Sequence, residues 1–300
     1  MRILVVGASG LVGQHVVARL RLRGHVATTV ARTAREGVDH ALDATTATPA
    51  DLRPLLAGHD GVVFAAGVDD REVPRGPAYP AFHRGNVAPV AALFAAARAE
   101  GATRGVVLGS YFTHFHREHP EWRLAARHPY IRSRVAQARV AREAAGFPVA
   151  VLELPFVFGR AGDRVPTWST PLARWARSRA PLAAPPGGTA ATSARRVGEV
   201  AVEALEAASG ADLPVAEENL TWREMIARVA SATGGHRRVR ALHPAALRAA
   251  LVLSGVAYAV SGREPGLAPR HLPDLLLREL FVGTGARGAL DAAIHDTFNP

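Results

Sequence analysis

The sequence predicts an α/β protein: a doubly wound parallel sheet joined to a smaller, mostly helical C-terminal lobe. Three observations carry this. Short apolar runs alternate with helical patterns up to about residue 154, as in βαβ units. A glycine-rich turn, Gly7-Ala8-Ser9-Gly10-Leu11-Val12-Gly13, follows the first apolar run and opens the first helical pattern. Beyond residue 154 the rhythm changes to irregular and Pro/Gly-rich segments between helices. A chain of 300 residues fits one large domain or one with an attached lobe, and 48% apolar residues suffice for a sizeable core.

Strands are expected at residues 2–6, 26–31, 40–43, 61–65, 105–108 and 149–154, with helices near 10–23, 49–57, 79–100 and 129–145 between them. Val16, Val17 and Leu20 give the first helix an apolar face at helical spacing. Residues 155–170 read as irregular and residues 181–188 as a loop. Helices resume at 197–208, 222–232, 244–260 and 290–298. Thr221-Trp222-Arg223-Glu224 has the spacing of a capping box. No internal repeat is visible.

Composition removes several function classes. The formal charge of +10 comes from arginine alone, because the chain has no lysine. The arginines are scattered, so nucleic acid is not an expected partner. Absence of lysine excludes Schiff-base chemistry. Absence of cysteine excludes disulfides, thiolate metal sites and a cysteine nucleophile. His114, His116, His119 and His128 crowd one segment, but with no cysteine and few acids nearby no metal site is expected. The most apolar stretch, residues 251–260, is interrupted by Ser254 and Gly255 and is too short to span a bilayer. Met1-Arg2 runs straight into the first strand, unlike a signal peptide. The expected setting is cytoplasmic. The expected partners are a small-molecule substrate and at most a second copy in a homodimer, with no membrane.

The glycine turn points to a dinucleotide. A pyrophosphate needs close backbone approach and free N–H groups at a helix N-terminus, and glycine permits both. The turn sits in strand–turn–helix context, so the sheet is expected to be of Rossmann type. Residues 1–160 would form the dinucleotide-binding domain and residues 161–300 the substrate-binding lobe, interleaved with the first through a closing helix at 290–298.

The Gly7-x-x-Gly10-x-x-Gly13 spacing is that of the extended short-chain dehydrogenase/reductase superfamily, and later segments resemble the NAD-dependent epimerase/dehydratase family within it. Val62-Val63-Phe64-Ala65-Ala66-Gly67 looks like the family's fourth strand and cofactor-contacting turn. Asn86-Val87 followed by Leu93-Phe94-Ala95-Ala96-Ala97 looks like its Asn-bearing helix. Leu152-Glu153-Leu154-Pro155-Phe156-Val157-Phe158-Gly159 resembles the segment flanking the nicotinamide, and Leu290-Asp291-Ala292-Ala293-Ile294 its closing helix. The resemblance covers nearly the whole chain and is strongest over residues 1–160. It implies a nicotinamide dinucleotide held by Gly7, Ser9, Gly10, Leu11, Val12, Gly13, Ala65, Ala66, Gly67, Asn86, Pro155 and Phe156. It also places Asp43 against the adenine; read alone, Asp43 caps a turn.

The second strand ends Thr29-Val30-Ala31-Arg32, without the acid that an NAD site uses to accept from the ribose 2′-OH. Arg32 and Arg35 stand there instead, and a guanidinium holds a 2′-phosphate bidentately. NADP(H) is therefore the expected cofactor, with NAD the alternative.

Tyr130-Ile131-Arg132-Ser133-Arg134 resembles the family's Tyr-x-x-x-Lys, with Arg134 at the lysine position. Spacing i, i+4 puts both side chains on one helix face. A phenol there serves as general acid or base, and a neighbouring cation favours its ionised form. The family's third member, a Ser or Thr after the fifth strand, falls on Ser110, Tyr111 or Thr113, with Ser110 the first choice for catalysis. Asp69-Asp70-Arg71 follows the fourth strand at the ligand-binding end of the sheet, as substrate contacts or as a solvated loop. The implied function is an NAD(P)(H)-dependent oxidoreductase acting on a carbonyl or alcohol. A cofactor-retaining isomerase or lyase without net redox is the second reading, and a non-enzymatic NADP(H) sensor the third.

Overall fold

The computed structural model describes residues 1–283 and 285–299. Its central sheet has seven strands, all paired in parallel, in the spatial order Asp212–Pro214, Val149–Glu153, Arg104–Leu108, Gly61–Phe64, Arg2–Val6, Val26–Ala31, His40–Ala41. The first strand thus lies between the second and the fourth. Chain order reverses there, and the crevice above that point is where such sheets bind ligands.

Both faces of the sheet are covered, which is why its strands read as continuous apolar runs. Ile3 and Val5 face one way, and Leu4 and Val6 the other, as the two-residue period of a strand requires. The first layer packs Ile3 and Val5 against Val16 and Leu20 of the helix Leu11–Leu22 and Val197, Ala201 and Leu205 of the helix Ala194–Glu206. The second packs Leu4 and Val6 against Leu52, Leu56, Val90, Leu93 and Phe94, from Pro49–Leu56 and Ala88–Ala99. Residues 194–215 therefore return to the first sheet after the chain has left it, contributing a covering helix and the seventh strand.

The expected α/β class and parallel sheet are present. Some elements differ from their sequence expectation. The third strand is His40–Ala41 and stops short of Asp43, which starts a turn by accepting from Thr45 N (2.9 Å) and Thr45 Oγ1 (2.7 Å). The single helix expected over 79–100 is Ala78–Phe82, a π-helical segment His83–Val87 and Ala88–Ala99. Pro89 has no N–H to donate back to Gly85, so the regular ladder is interrupted there. Residues 155–170 hold the strand Phe156–Phe158 and the start of the helix Ser169–Arg177, and residues 181–188 hold the strand Leu182–Ala184.

The second lobe is organised by the buried strand Gly188–Ser193, which pairs with Phe156–Phe158, Glu218–Thr221 and Glu279–Leu280. Its sequence, Gly-Thr-Ala-Ala-Thr-Ser, has neither alternation nor large β-branched residues, so periodicity does not reveal it. Helices Trp222–Ala232 and Asp291–Phe298 pack around it, the former opened by the expected capping box between Thr221 and Glu224. Among the described residues no helix is long and apolar enough to cross a membrane.

The two covering helices of the first layer touch at Gly198, where an added Cβ would lie 2.8 Å from the carbonyl oxygen of His15. In an open helix, Gly→Ala stabilises by about 1 kcal/mol. Forcing a methyl against fixed backbone costs about 1–3 kcal/mol. Gly198→Ala is therefore expected to destabilise by about 1–2 kcal/mol in urea unfolding; a stabilised variant would show that the two helices separate freely.

Candidate active site

Two cavities meet above the carboxyl ends of the sheet, one of about 540 Å³ over the first, second and fourth strands and one of about 470 Å³ under the second lobe. Ser9, Gly10, Leu11, Asp69, Gly109 and Arg134 border both.

The lower cavity is floored by the glycine turn. Gly7 has φ +88°, and a Cβ there would lie 2.7 Å from the Ala65 and Ala66 backbone. Gly13 packs its Cα directly on the Gly7 carbonyl. These two glycines let the turn close onto the fourth strand. Gly10 differs: its backbone is extended (φ −77°, ψ 166°) and a Cβ would meet only Gly7 O, at 3.3 Å. Its bareness serves the cavity, not the fold. The helix that follows has no side-chain cap and no acid in its first turn, so its leading N–H groups face the cavity uncontested. A pyrophosphate fits this cradle.

Of the other expected cofactor contacts, Leu11, Val12, Arg32, Asp43, Ala65, Ala66 and Gly67 line the lower cavity, and Pro155 and Phe156 the upper. Arg32 and Asp43 come together: Asp43 is held below the usual carboxylate range by its two Thr45 bonds, with a smaller part from Arg32. Arg35 lies elsewhere, in a side cleft with Gln14, Arg21 and Glu36, its guanidinium donating to Thr33 Oγ1. Asn86 does not border either cavity. It is fully buried, accepting from Val68 N (2.7 Å) and donating to Val68 O (3.2 Å) and Ser133 Oγ (3.1 Å). It thus pins the Gly67-Val68 turn to the helix Pro129–Ala145.

Tyr130 stands in the first turn of that helix, behind Pro129, and Arg134 one turn later. Arg134 Nε donates to Tyr130 Oη at 3.1 Å. The rest of the guanidinium is spent on Gln137 Oε1 (2.9 Å), Val68 O (3.3 Å) and Leu108 O (3.5 Å). Burial pushes the Tyr130 phenol up. The Arg134 charge opposes that rise, Asp70 adds to it, and hydrogen bonds from Arg134 and Ser110 pull it down. Ser110 lines the same cavity as the phenol. Tyr111 is engaged with Thr189 across the lobes (3.0 Å), and Thr113 donates to the buried Glu153 and to Ser110 O. Of the three candidates after the fifth strand, Ser110 and Tyr111 line the upper cavity with Tyr130, and Thr113 does not.

Several residues escaped sequence reading. Glu153 is fully buried yet takes two bonds from Arg117 (2.6 and 2.9 Å) and one from Thr113, tying the helix Phe112–Glu118 to the sixth strand of the chain. A lone Glu in an apolar strand with an Arg elsewhere offered no local spacing to find it by. Gln137 at i+3 from Arg134 was findable from helix geometry. Asp69 and Asp70 line the upper cavity, in unequal states. Burial pushes Asp69 up, but Arg71 and its backbone N–H hold it below the usual range. Asp70 receives only a 3.3 Å bond from Arg71, and burial pushes its carboxyl up to about 6, with Asp69 adding to the rise against Arg71. The histidines scatter: His119 stacks on Trp122, His128 is buried and pushed down to about 4 by desolvation, and His114 lies 3.9 Å from Glu153. Among the described residues no three potential metal ligands come together.

The sequence pattern of the NAD dependent epimerase/dehydratase family matches residues 3–183. No curated protein matches the chain. Among solved structures, the fold resembles that of gox2253 (TM-score 0.73, 18% identity, 98% of this chain and 97% of that one). It also resembles the human epimerase family protein SDR39U1 (isoform 2) with NADPH (TM-score 0.70, 17% identity, 99% of each chain). A third is UDP-glucose-4-epimerase from Stenotrophomonas maltophila with bound NAD and formylated UDP-arabinopyranose (TM-score 0.66, 16% identity, 99% of this chain and 97% of that one). At these identities the likeness is one of fold.

Asp70 gives the site a pH signature. Its folded value, about 6, lies above the 3.8 of an unfolded aspartate. The unfolded chain therefore releases the proton first, and stability falls as pH rises between those values. Asp70→Asn removes the penalty. It is expected to raise stability at neutral pH by about 1–3 kcal/mol and to change little near pH 4, measured by denaturant unfolding. An equal gain at both pH values would mean that the carboxylate is not held at a cost.

Proposed function

The chain belongs to the NAD-dependent epimerase/dehydratase family, and from that we propose that it is an enzyme that binds a nicotinamide dinucleotide, preferring NADP(H), and acts on a carbonyl or alcohol of a small molecule. One observation carries the reading: a buried phenol at the floor of the upper cavity, Tyr130, whose hydroxyl is bonded at 3.1 Å to a buried guanidinium, Arg134, beside a pyrophosphate-shaped cradle.

The cofactor, when bound, supplies the hydride-exchanging ring. This chain's residues handle the rest. The glycine turn and the open helix N-terminus hold the diphosphate. Tyr130 Oη gives its proton to a substrate carbonyl oxygen, or as phenolate takes one from a carbinol. Arg134 stabilises the phenolate, and Ser110 orients the phenol and the substrate oxygen. Pro155, Phe156 and Trp168 give the upper cavity an apolar wall on the side of the second lobe. The preference for NADP(H) rests on Arg32 at the rim of the lower cavity, with Arg35 outside it. Structures of this fold hold NADPH in one case and NAD in another, so the fold alone does not select between them.

Asp70 favours a second reading, an isomerase or lyase without net redox. An elimination next to a carbonyl uses a second proton-transferring group, and the Asp70 carboxyl, pushed up to about 6 in the same cavity as Tyr130, provides one. Net conversion of NADPH or NADP during turnover over a carbonyl and alcohol panel separates the two readings.

Cofactor binding is testable by calorimetry. Arg32→Ala is expected to weaken NADPH about tenfold to a hundredfold and NADH far less, because only NADPH carries the 2′-phosphate. Arg35→Ala is expected to leave both unchanged. Equal loss of both cofactors in Arg32→Ala would make this arginine an ordinary surface residue. Gly10→Val should abolish binding of either cofactor while leaving the melting temperature nearly unmoved.

Turnover tests the acid–base pair. Tyr130→Phe removes one hydroxyl and should lower kcat by about 10²–10⁴-fold with cofactor affinity retained. Arg134→Met removes the cation that opposes the rise of the phenol, so the Tyr130 limb of the pH–rate profile should move to higher pH. Full activity in Tyr130→Phe would hand the proton to another group.

A further inference from the structure

Among the described residues, the helix Pro244–Val260 is the one α-helix with no buried residue. Eleven of its residues are exposed, and Arg248 is the only polar one among them. Val252, Leu253, Val256 and Val260 are 55%, 70%, 57% and 84% exposed, four of the six exposed large apolar side chains among the described residues. A surface helix ordinarily turns its polar face outward. Here the outward face is the apolar one, an apolar stripe left without a partner among the described residues.

We propose that this helix docks on the surface of an anionic lipid bilayer, lying in the headgroup region with Leu253, Val256 and their neighbours inserted. Two arguments favour lipid over a second copy of the chain. The first is area. A 17-residue helix is about 25 Å long and its outer face about 10 Å wide. That gives roughly 250 Å² per copy, against the roughly 800 Å² each partner needs in a stable dimer. The second is charge. Residues 236–274, the helix and its flanks, carry Arg237, Arg238, Arg240, Arg248, Arg263 and Arg270 against two acids, Glu264 and Asp274, the latter 3.4 Å from Arg248. Glu264 is already engaged with Ala78 N, while Arg238, Arg240 and Arg270 are exposed and join none of the hydrogen bonds or ion pairs of the described residues. Two copies would bring these arginine flanks together, whereas anionic headgroups accept both the charges and the apolar stripe. The helix is too short to span, so it lies on the surface.

The test uses the whole chain and vesicles of phosphatidylcholine with or without phosphatidylserine. Cosedimentation is expected with the mixed vesicles at low salt, weakening as salt rises, and at least about tenfold less with phosphatidylcholine alone. Leu253→Gln together with Val256→Gln should lower affinity for the mixed vesicles about tenfold or more. Both positions are exposed, and unchanged thermal unfolding checks that the fold is retained. Arg240→Gln together with Arg270→Gln should lower it by a similar factor and flatten the salt dependence. Absence of binding by the parent protein to either vesicle, or full binding by the Leu253/Val256 variant, overturns the proposal. So does a dimer in light scattering that the Leu253/Val256 variant dissolves, which would assign the face to a second copy.

Discussion

The site depends on one buried charge. Arg134 is only 8% exposed, and it makes no ion pair among the described residues. A guanidinium is a permanent cation, and an isolated one loses several kcal/mol on leaving water. Neutral acceptors offset that cost: the carbonyls of Val68 and Leu108 at the ends of the fourth and fifth strands, the amide oxygen of Gln137 and the phenol of Tyr130. The bonds to Val68 and Leu108 tie the helix to the sheet, while those to Tyr130 and Gln137 stay within the helix. They also leave the charge uncancelled, and the group best able to cancel it is Tyr130 as phenolate. The same interaction anchors the helix and opposes the rise of the phenol.

The second lobe reaches this centre from two sides. Tyr111, immediately after Ser110, bonds Thr189 on the strand that organises the lobe. Tyr130 N donates to Gly266 O at 3.0 Å, and a Cβ at Gly266 would lie within 3 Å of Phe82 and Tyr130. His128, just ahead, accepts from Ala268 N. The phenol is thus clamped between strands of the sheet and a loop of the lobe, which accounts for its burial and for the rise that Arg134 must oppose.

Asn86 shows how a resemblance and a structure can assign one residue different work. The family pattern implied a cofactor contact. In the fold its amide is bonded to Val68 and Ser133, which holds the Gly67 turn and the helix Pro129–Ala145 in register. Arg35 likewise borders a side cleft, leaving Arg32 to face the lower cavity with Asp43.

What the sequence by itself determined was local. Glycine spacing, the apolar runs of a sheet buried on both faces, the i, i+4 pairing of Tyr130 with Arg134 and the capping box at Thr221 each lie within a few residues of chain, where backbone geometry alone sets the outcome. Tertiary structure decided what depends on distant partners. The strand Gly188–Ser193 has no periodic signal and exists because three other segments pair with it. Asp212–Pro214 is a strand because the edge of Val149–Glu153 was open. Glu153 can be buried because Arg117 reaches it from a helix 36 positions away, and Asp70 differs from its neighbour Asp69 because burial pushes it up and Arg71 bonds Asp69 more closely. Desolvation and long-range pairing are properties of the folded neighbourhood, and no window of sequence contains them.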